Sequence, residues 1–364
     1  MVVSINVSFS AETWNAIVRG ERTGLSSRFA RVGLRFVSVP YGVGVWTRNR
    51  LFDRGWKSVH RVPSPVVSIG NLTLGGTGKT PCVEYVAGFY RDLGLQVAIL
   101  SRGYGVEAGR NDEAMVLEEN LPDVPHLQGA NRVQLAMTAI EELESEILVL
   151  DDGFQHRRLH RDLDIVLVDA TRPLHSERLF PGGTRREPIR ELRRAGVLVL
   201  ARVDQVSSES IADQREWLAK QCPQAVIVTA THAPRELVNA TGETAVCEEL
   251  RGKSVGAFCG IGNPTAFQRT LADLGANVQD FRVFPDHHAY SRADVEELRT
   301  WVNRLPNDAM IATTQKDFVK LRAPELGGRP LWAVRVGLRI VDGETALQNQ
   351  LRAVSREPIS TESK

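Results

Sequence analysis

Gly70-Asn-Leu-Thr-Leu-Gly-Gly-Thr-Gly-Lys-Thr80 is a glycine-rich segment that ends in Gly-Lys-Thr. It follows the apolar run Pro65 to Ile69 and precedes Pro81 to Leu93, where apolar residues recur at helical spacing. A strand, a glycine-rich turn and a helix in this order are typical of a phosphate-binding loop. Thr73 stands where the usual spacing has glycine, so we interpret the segment as a variant loop. An ordinary glycine-rich turn is the alternative.

This loop predicts an ATP site with bound Mg²⁺. Glycines let the backbone approach phosphate oxygens, and the N-terminus of the next helix directs N–H groups at the anion. Lys79 is expected to reach the β- and γ-phosphates, and the Thr80 hydroxyl is expected to ligate Mg²⁺. The predicted nucleotide-binding residues are Thr73, Leu74, Gly75, Gly76, Thr77, Gly78, Lys79 and Thr80.

Two adjacent carboxylates follow a predicted buried strand. Ile147 to Leu150 run directly into Asp151 and Asp152. Ligands of parallel α/β sheets bind at the carboxyl ends of the strands, and P-loop enzymes hold Mg²⁺ with an aspartate at such a position. The sequence therefore predicts that Asp151 or Asp152 binds the metal, and it leaves open which of them does. For either one, a helix cap is the structural alternative.

Short β-branched runs alternate with helix-length spacers, which predicts an α/β protein with a P-loop NTPase-like parallel sheet and a second, smaller α/β lobe. The predicted domains are a leader at 1–62, a nucleotide-binding domain at 63–230, a second lobe at 231–354 and a polar tail at 355–364. The predicted strands are Pro65 to Ile69, Gln96 to Leu100, Ile147 to Leu150, Asp164 to Val168, Gly196 to Leu200, Ala225 to Val228, Lys253 to Phe258, Phe281 to Phe284, Met310 to Thr313 and Leu331 to Val336.

The leader is basic and apolar. Residues 1 to 61 hold ten Lys or Arg against three acids, a net charge of +7, although the whole chain carries only +1. The run Val32 to Trp46 is shorter than the ~20 apolar residues that span a bilayer, and its position does not suit a signal peptide. We expect an amphipathic helical leader that lies on an anionic membrane surface. A helical hairpin packed on the main domain is the compatible alternative.

Composition excludes several classes of protein. The near-neutral charge of the 364-residue chain does not support nucleic-acid binding, which requires a strongly basic surface. Four cysteines without a C-x-x-C pair indicate neither a disulfide framework nor a thiolate zinc site. No obligate protein partner is indicated. The cysteine usage suits a protein of the reducing cytosol.

A further set of motifs, taken in chain order, resembles the lipid A 4'-kinase (tetraacyldisaccharide 4'-kinase) family across residues 65 to 321. The motifs are the phosphate loop up to Pro81, Ser101-Arg-Gly-Tyr-Gly105, Asp112-Glu113, Asp151-Asp-Gly-Phe-Gln-His156, Pro181 to Pro188, Gly260-Ile-Gly-Asn-Pro264, Phe284-Pro-Asp-His-His288 and Thr313-Thr-Gln-Lys-Asp317. Two positions depart from the family pattern: Gln315 stands where glutamate is usual, and Phe180-Pro-Gly-Gly-Thr-Arg-Arg-Glu-Pro188 replaces a more proline-rich loop.

The resemblance implies transfer of the ATP γ-phosphate to the 4'-hydroxyl of a tetraacyl disaccharide 1-phosphate, a glycolipid. It implies that Asp112 is the catalytic base and that a histidine of the 284–288 motif pairs with it, and we predict His287 rather than His288. Glu113 is a candidate second magnesium ligand. Predicted contacts to phosphate or to the anionic acceptor are assigned to Arg102, Arg185 and Arg186.

The resemblance also places the enzyme at the cytoplasmic face of the inner membrane, as a peripheral or monotopic protein. Two other functions use the same phosphate loop. A P-loop ATPase that switches partner proteins would have no small-molecule acceptor, and a soluble small-metabolite kinase or ligase would have no need of the basic leader.

Overall fold

The computed structural model of the chain describes residues 11–103, 112–321 and 323–356. Tyr104 and Gly105 of the predicted Ser101–Gly105 motif, residues 1–10 of the leader and residues 357–364 of the predicted tail lie outside this part. The helices are α1 (Ala11–Val18), α2 (Leu25–Asp53), α3 (Lys79–Asp92), α4 (Asp112–Asn120), α5 (Arg132–Leu143), α6 (Ser208–Gln221), α7 (Pro264–Asp273), α8 (Arg292–Val302), α9 (Gln315–Leu321) and α10 (Glu344–Arg356).

A strand overlaps each of the ten predicted apolar runs. The parallel pairing of these strands confirms the predicted α/β fold. They are β1 (Val66–Asn71), β2 (Val97–Ser101), β3 (His126–Gln128), β4 (Ile147–Asp151), β5 (Leu163–Asp169), β6 (Val197–Ala201), β7 (Val226–Asn239), β8 (Thr244–Ala245), β9 (Ser254–Cys259), β10 (Asn277–Val283), β11 (Met310–Thr314), β12 (Glu325–Leu326) and β13 (Arg329–Asp342).

The chain divides by its internal contacts into two compact units, each assembled from separated segments. The first unit contains residues 1–79, 150–230 and 340–364, and the second contains residues 80–149 and 231–339. We call them the phosphate-loop unit and the histidine unit, after the residues described below. The domain boundaries expected after residues 62, 230 and 354 stay predictions.

The phosphate-loop unit has a parallel core sheet. Strand β1 pairs with β5, β5 pairs with β6, and β6 pairs with the first half of β7, all in parallel. Every residue of β1, β5 and β6 is buried. Parallel strands with continuous apolar sequences are covered on both faces, which explains why these runs do not alternate with polar residues.

The histidine unit has its own parallel strands. Strand β9 lies between β10 and β11, and β11 pairs with β13. Its core includes Phe258 of β9, whose ring meets the ring of Trp301 edge to face at a centroid distance of 6.3 Å. Thr313 of β11 donates a hydrogen bond to the carbonyl of Phe258 across the two strands, at 2.9 Å. Apolar packing and pairing of the buried backbone thus fix the strand ends from which the loops of this unit begin.

Close packing joins the end of β1 to the segment that follows β4. A Cβ atom at Gly70 would lie 2.6 Å from the Cβ of Phe154, far inside van der Waals contact. The N–H of Gly153 donates to the carbonyl of Ile69 at 3.1 Å, and Phe154 is fully buried. Glycine is therefore required at position 70, because the backbone of the segment after β4 packs directly on β1 there.

Helix α2 is continuous over 29 residues, although Pro40 lies inside it. Proline removes one backbone hydrogen bond and usually ends or bends a helix. Here neighbouring side chains anchor the helix, since Ser38 donates to the carbonyl of Leu179 at 3.0 Å and Tyr41 donates to the carbonyl of Arg186 at 2.9 Å. Among the described residues, no helix combines the length and the apolar character needed to cross a bilayer.

Gln315 lies in a polar cluster between α4 and α9 of the histidine unit. Its side chain donates to Asn120 Oδ1 at 2.6 Å, and Asn120 donates to Glu84 Oε2 at 2.8 Å. Burial raises the pKa of Glu84 and of Glu119, and hydrogen bonds from Asn120 and Gln315 respectively oppose that rise. The amide at position 315 therefore avoids adding a third carboxylate to this cluster.

We expect Gly70→Ala to destabilise the protein by about 2 kcal/mol, because the added methyl group overpacks the contact with Phe154. The free energy of unfolding from urea denaturation measures this change. Gly88→Ala in α3 is the matched control, since a Cβ built there meets no atom within 4 Å beyond its chain neighbours and the adjacent helix backbone, and we expect it to be neutral or stabilising. Equal effects of the two substitutions would contradict the packing argument.

We expect Gln315→Glu to cost about 2 kcal/mol at pH 8, because a buried carboxylate loses the amide donor and faces other acids. Burial holds the folded-state pKa of such a carboxyl above its unfolded value, so the folded form binds the proton more tightly. The deficit should therefore shrink as pH falls from 8 to 5. Urea denaturation across this range tests the prediction against exposed Gln279→Glu, and a deficit independent of pH would refute it.

Candidate active site

The phosphate loop connects β1 to α3, and α3 begins at Lys79. Gly75 and Gly78 have positive φ values of 108° and 82°, conformations that residues with a side chain rarely adopt. Inside the loop, Asn71 Nδ2 donates to Thr77 Oγ1 at 2.8 Å, and both residues are buried. The predicted loop is thus a folded turn braced by its own Asn-Leu-Thr lead-in.

The segment that contains Arg185 and Arg186 supports the outer side of this loop. Leu74 N–H donates to the carbonyl of Thr184 at 2.8 Å, and Arg186 N–H donates to the carbonyl of Leu72 at 2.6 Å. Thr73 forms an isolated antiparallel bridge with Arg185. The segment that departs from the family pattern is therefore paired through its backbone with the phosphate loop.

Asp152 is the electrostatic centre of the site in the phosphate-loop unit. Lys79 Nζ lies 3.4 Å from Asp152 Oδ1, and Arg186 Nη1 lies 2.8 Å from Asp152 Oδ2. Burial raises the pKa of Asp152, but the cations of Lys79 and Arg186 outweigh it and hold the pKa below its usual range. Asp152 adopts a left-handed backbone with φ of 50°. The carboxylate is therefore held ionised beside the predicted phosphate-binding lysine.

The other predicted residues of this unit differ in their surroundings. Asp151 ends β4 and is half-buried. Arg185 is half-buried, and this burial lowers its pKa although the negative charge of Glu177 partly opposes the change. Arg186 is bound to Asp152 and to Gln155 Oε1, the latter at 3.3 Å. In this structure the guanidinium of Arg186 therefore pairs with the carboxylate of Asp152.

In the histidine unit, Asp112 and His287 are in direct contact, although they are 175 positions apart in the sequence. Asp112 begins α4, and its Oδ2 lies 2.9 Å from His287 Nδ1. Asp112 is buried, whereas the side chain of His287 is 62% exposed. His288 faces elsewhere, with its Nε2 3.2 Å from Asp294 Oδ2 and its ring stacked on Phe284. The structure thus pairs Asp112 with the predicted histidine.

Gly260 connects three of the sequence motifs. Its N–H donates to Asp317 Oδ2 at 2.9 Å, and its carbonyl accepts from His287 N–H at 3.1 Å. A Cβ at Gly260 would lie 3.1 Å from both Asp317 Oδ1 and the carbonyl of Pro285, so the loops pack tightly there. His287 is held in this contact with φ of 56°, a left-handed conformation that a residue with a side chain adopts at a cost.

Two lysines that the sequence analysis left without a role surround this pair. Lys316 Nζ lies 2.8 Å from Glu113 Oε1. Burial lowers the pKa of Lys316, but the negative charges of Glu113 and Asp112 raise it by more than burial lowers it. The net effect is a raised pKa. Lys320 Nζ lies 3.2 Å from Asp317 Oδ1 and 4.0 Å from Asp112 Oδ2. Lys316 lies in a quoted motif, but only the fold shows which acids these lysines meet.

Thr80 is buried in the first turn of α3, and Arg102 is exposed after β2. Among the described residues, no group of three or more His, Cys, Asp or Glu side chains converges on a metal position. A P-loop Mg²⁺ requires only one or two carboxylates, because phosphates and water supply its other ligands. The hydroxyl of Thr80 and the carboxylates of Asp151 and Asp152 are oxygen ligands of the kind that Mg²⁺ takes.

Known proteins are similar to this chain in sequence and in fold. A family model described as "Tetraacyldisaccharide-1-P 4'-kinase" matches residues 30–356. The tetraacyldisaccharide 4'-kinase of Anaeromyxobacter dehalogenans (strain 2CP-C) is 39% identical over 354 residues, which are 91% of this chain and 92% of that protein. The protein of the same name from Syntrophus aciditrophicus (strain SB) is 36% identical over 340 residues, 84% of this chain and 88% of the relative.

A solved structure gives the same result. The crystal structure of LpxK from Aquifex aeolicus in complex with ATP matches with a TM-score of 0.72 and 30% sequence identity, covering 89% of this chain and 99% of that one. The resemblance that the motifs indicated is therefore confirmed over nearly the whole length of the relatives. The chain belongs to the tetraacyldisaccharide-1-phosphate 4'-kinase family.

Proposed function

We propose that this protein transfers the γ-phosphate of ATP to the 4'-hydroxyl of a tetraacyl disaccharide 1-phosphate in lipid A biosynthesis. Family membership supports the reaction. Among the contacts, the pairing of Asp112 with His287 at 2.9 Å carries the proposal. A phosphate loop alone is shared with ATPases that switch partner proteins, whereas a buried carboxylate that orients an exposed imidazole suits removal of a proton from an acceptor hydroxyl. The ATPase alternative is therefore not favoured.

ATP binding is assigned to residues 73–80. Lys79 lies beside an ionised carboxylate, and we propose that it turns to the β- and γ-phosphates when nucleotide is present. For Mg²⁺ we propose Thr80 with Asp151 or Asp152 as ligands, and we favour Asp151 because the carboxylate of Asp152 is already shared by two cations. When bound, the metal neutralises charge on the phosphate oxygens. Glu113 remains a candidate second ligand, with Lys316 as its present partner.

The proposed proton transfer follows from the atoms in contact. We assign the ring proton of His287 to Nδ1, so that Asp112 Oδ2 accepts this N–H and Nε2 remains as the basic nitrogen of the exposed ring. In the reaction, the acceptor oxygen forms a bond to the γ-phosphorus and the bond to the bridging oxygen of ADP breaks. The hydroxyl proton passes to the Asp112–His287 pair, and ADP leaves with the bonding electron pair.

We further propose that Arg102 and Arg185 meet anionic groups of the substrates. Arg102 is exposed, and the half-buried Arg185 pairs through its backbone with Thr73 of the phosphate loop. Arg186 acts in this scheme by holding Asp152. Because Arg185 and Arg186 belong to the 180–188 segment, we propose that the departure of this segment from the family pattern affects how the acceptor is held.

Attachment to the cytoplasmic face of the inner membrane is proposed through one face of α2. The members of this apolar stripe recur at intervals of four and three residues, and each is exposed: they are Leu25, Phe29, Val32, Phe36, Val39, Val43 and Trp46. Exposed arginines flank them, among them Arg28, Arg35 and Arg50. An apolar helical face beside cationic residues suits the headgroup layer of an anionic leaflet, where the glycolipid acceptor is held.

The kinase assignment predicts that labelled γ-phosphate from Mg²⁺-ATP appears in a detergent-dispersed tetraacyl disaccharide 1-phosphate. We expect Lys79→Ala to reduce kcat/KM at least 100-fold through lost phosphate contacts, and Asp112→Asn to reduce kcat by a similar factor with little change in ATP binding. Thin-layer separation of the labelled lipid measures both. The exposed Lys220→Ala is the matched control and should keep wild-type activity.

The outcome distinguishes the candidate functions. ATP hydrolysis without label in the lipid would refute the proposed acceptor and favour the partner-switching ATPase. Label in the lipid with wild-type kcat in Asp112→Asn would keep the kinase assignment and refute the proposed base.

The apolar stripe predicts binding to vesicles that contain anionic phospholipid. We expect the double substitution Phe29→Ser and Phe36→Ser to weaken cosedimentation at least tenfold, because each exposed ring contributes apolar area that the lipid buries. Val246→Ser with Val341→Ser is the control, since it removes two exposed apolar side chains elsewhere. Unchanged cosedimentation of the phenylalanine variant would exclude this face of α2 as the attachment site.

A further inference from the structure

The carbonyl of Gly76, in the middle of the phosphate loop, accepts a hydrogen bond from an arginine far away in sequence. Arg202 Nη2 donates to this oxygen at 2.7 Å. The same guanidinium forms an ion pair with Asp169 through its Nη1. All three residues belong to the phosphate-loop unit. One planar cation therefore connects the phosphate loop to the end of a neighbouring strand.

Both ends of this connection are held firmly. Asp169 ends β5, and its other carboxylate oxygen accepts from the N–H of Thr171 at 3.0 Å and from the Thr171 hydroxyl at 2.6 Å. Arg202 directly follows β6 and has φ of 61°, a left-handed conformation that is unfavourable for a residue with a side chain. Backbone strain of this kind persists where the surroundings fix it, and it clusters at functional sites.

The position of the Gly76 oxygen determines where the next N–H points. A trans peptide is planar, so the carbonyl of Gly76 and the N–H of Thr77 point in opposite directions from the same plane. With its oxygen turned toward Arg202, this peptide directs the Thr77 N–H away from the arginine. Thr77 is also fixed from its side chain, which accepts from Asn71 Nδ2. Arg202 and Asn71 thus hold the two sides of Thr77.

We infer that Arg202 is a positioning residue for ATP, which orients the Gly76–Thr77 peptide so that its N–H serves the phosphates. It acts through the loop backbone and contacts no reacting atom. The inference rests on the proposed function only in that the loop binds the phosphates of ATP. Asp169 is the anchor of the arginine and shares its role.

Titration calorimetry with Mg²⁺-ATP and the full chain tests this inference without the lipid acceptor. We expect Arg202→Met to weaken ATP binding about tenfold, since one oriented N–H donor to a phosphate is lost. Arg202→Lys should recover part of the affinity, because an ammonium group can reach one of the two acceptors but does not present the fork that bridges both. In the kinase assay, KM for ATP should rise in proportion while kcat at saturating ATP changes less than threefold.

Two further variants separate positioning from stability. Arg202→Gly relieves the left-handed strain yet removes the guanidinium, so its ATP affinity should fall as in Arg202→Met although the backbone is less strained. Arg215→Met, which breaks the exposed ion pair with Asp342, is the matched control and should bind ATP like the wild type. ATP affinity of Arg202→Met and Arg202→Gly within twofold of the wild type would overturn the inference. A wild type that binds ATP but does not phosphorylate the lipid would refute the proposed function and leave this inference intact.

Discussion

The contact between Gly70 and Phe154 is the constraint on which the nucleotide site depends. Because no side chain stands at position 70, the segment after β4 packs directly on the end of β1, and its backbone bonds to Ile69. That approach brings Asp152 to within 3.4 Å of the lysine of the phosphate loop. Gln155 then donates to the carbonyl of Asn71 at 2.9 Å, which ties the same two segments together a second time. The charges of the site are therefore placed by packing of apolar and backbone atoms.

Local patterns in the sequence predicted most of the fold. The buried strands are continuous apolar runs, and α3 shows helical spacing, so their positions could be predicted to within a few residues. The lengths of β7 and β13 could not: each spans 14 residues, and polar positions such as Arg235 and Glu236 interrupt their apolar pattern. Pairing with neighbouring strands, which is not visible in a local pattern, extends both elements.

Some residues of the candidate site could likewise be predicted from local patterns, and others could not. The phosphate loop and the two strand-end aspartates carry a local signal, because glycines and acids at strand ends are unusual where a core must be packed. The pairing of Asp112 with His287 was expected only from the family resemblance, since the two residues are 175 positions apart in the sequence. No local pattern in the sequence marks Arg202 as a residue of the site. Its contact with Gly76 depends on β6 lying beside β5, and the sheet pairing that brings this about has no signature in the residues around Arg202.

The phosphate-loop unit consists of three segments that are separated in the sequence, so it cannot be completed until the end of the chain has been synthesised. Its segments are 1–79, 150–230 and 340–364, so the unit includes α10, which contributes the buried side chains of Leu347 and Leu351. A ribosome delivers β1 and the phosphate loop early but adds α10 only after the whole histidine unit has been made. Nascent chains must therefore hold an incomplete phosphate-loop unit through most of translation, and no single uninterrupted gene fragment encodes either unit alone.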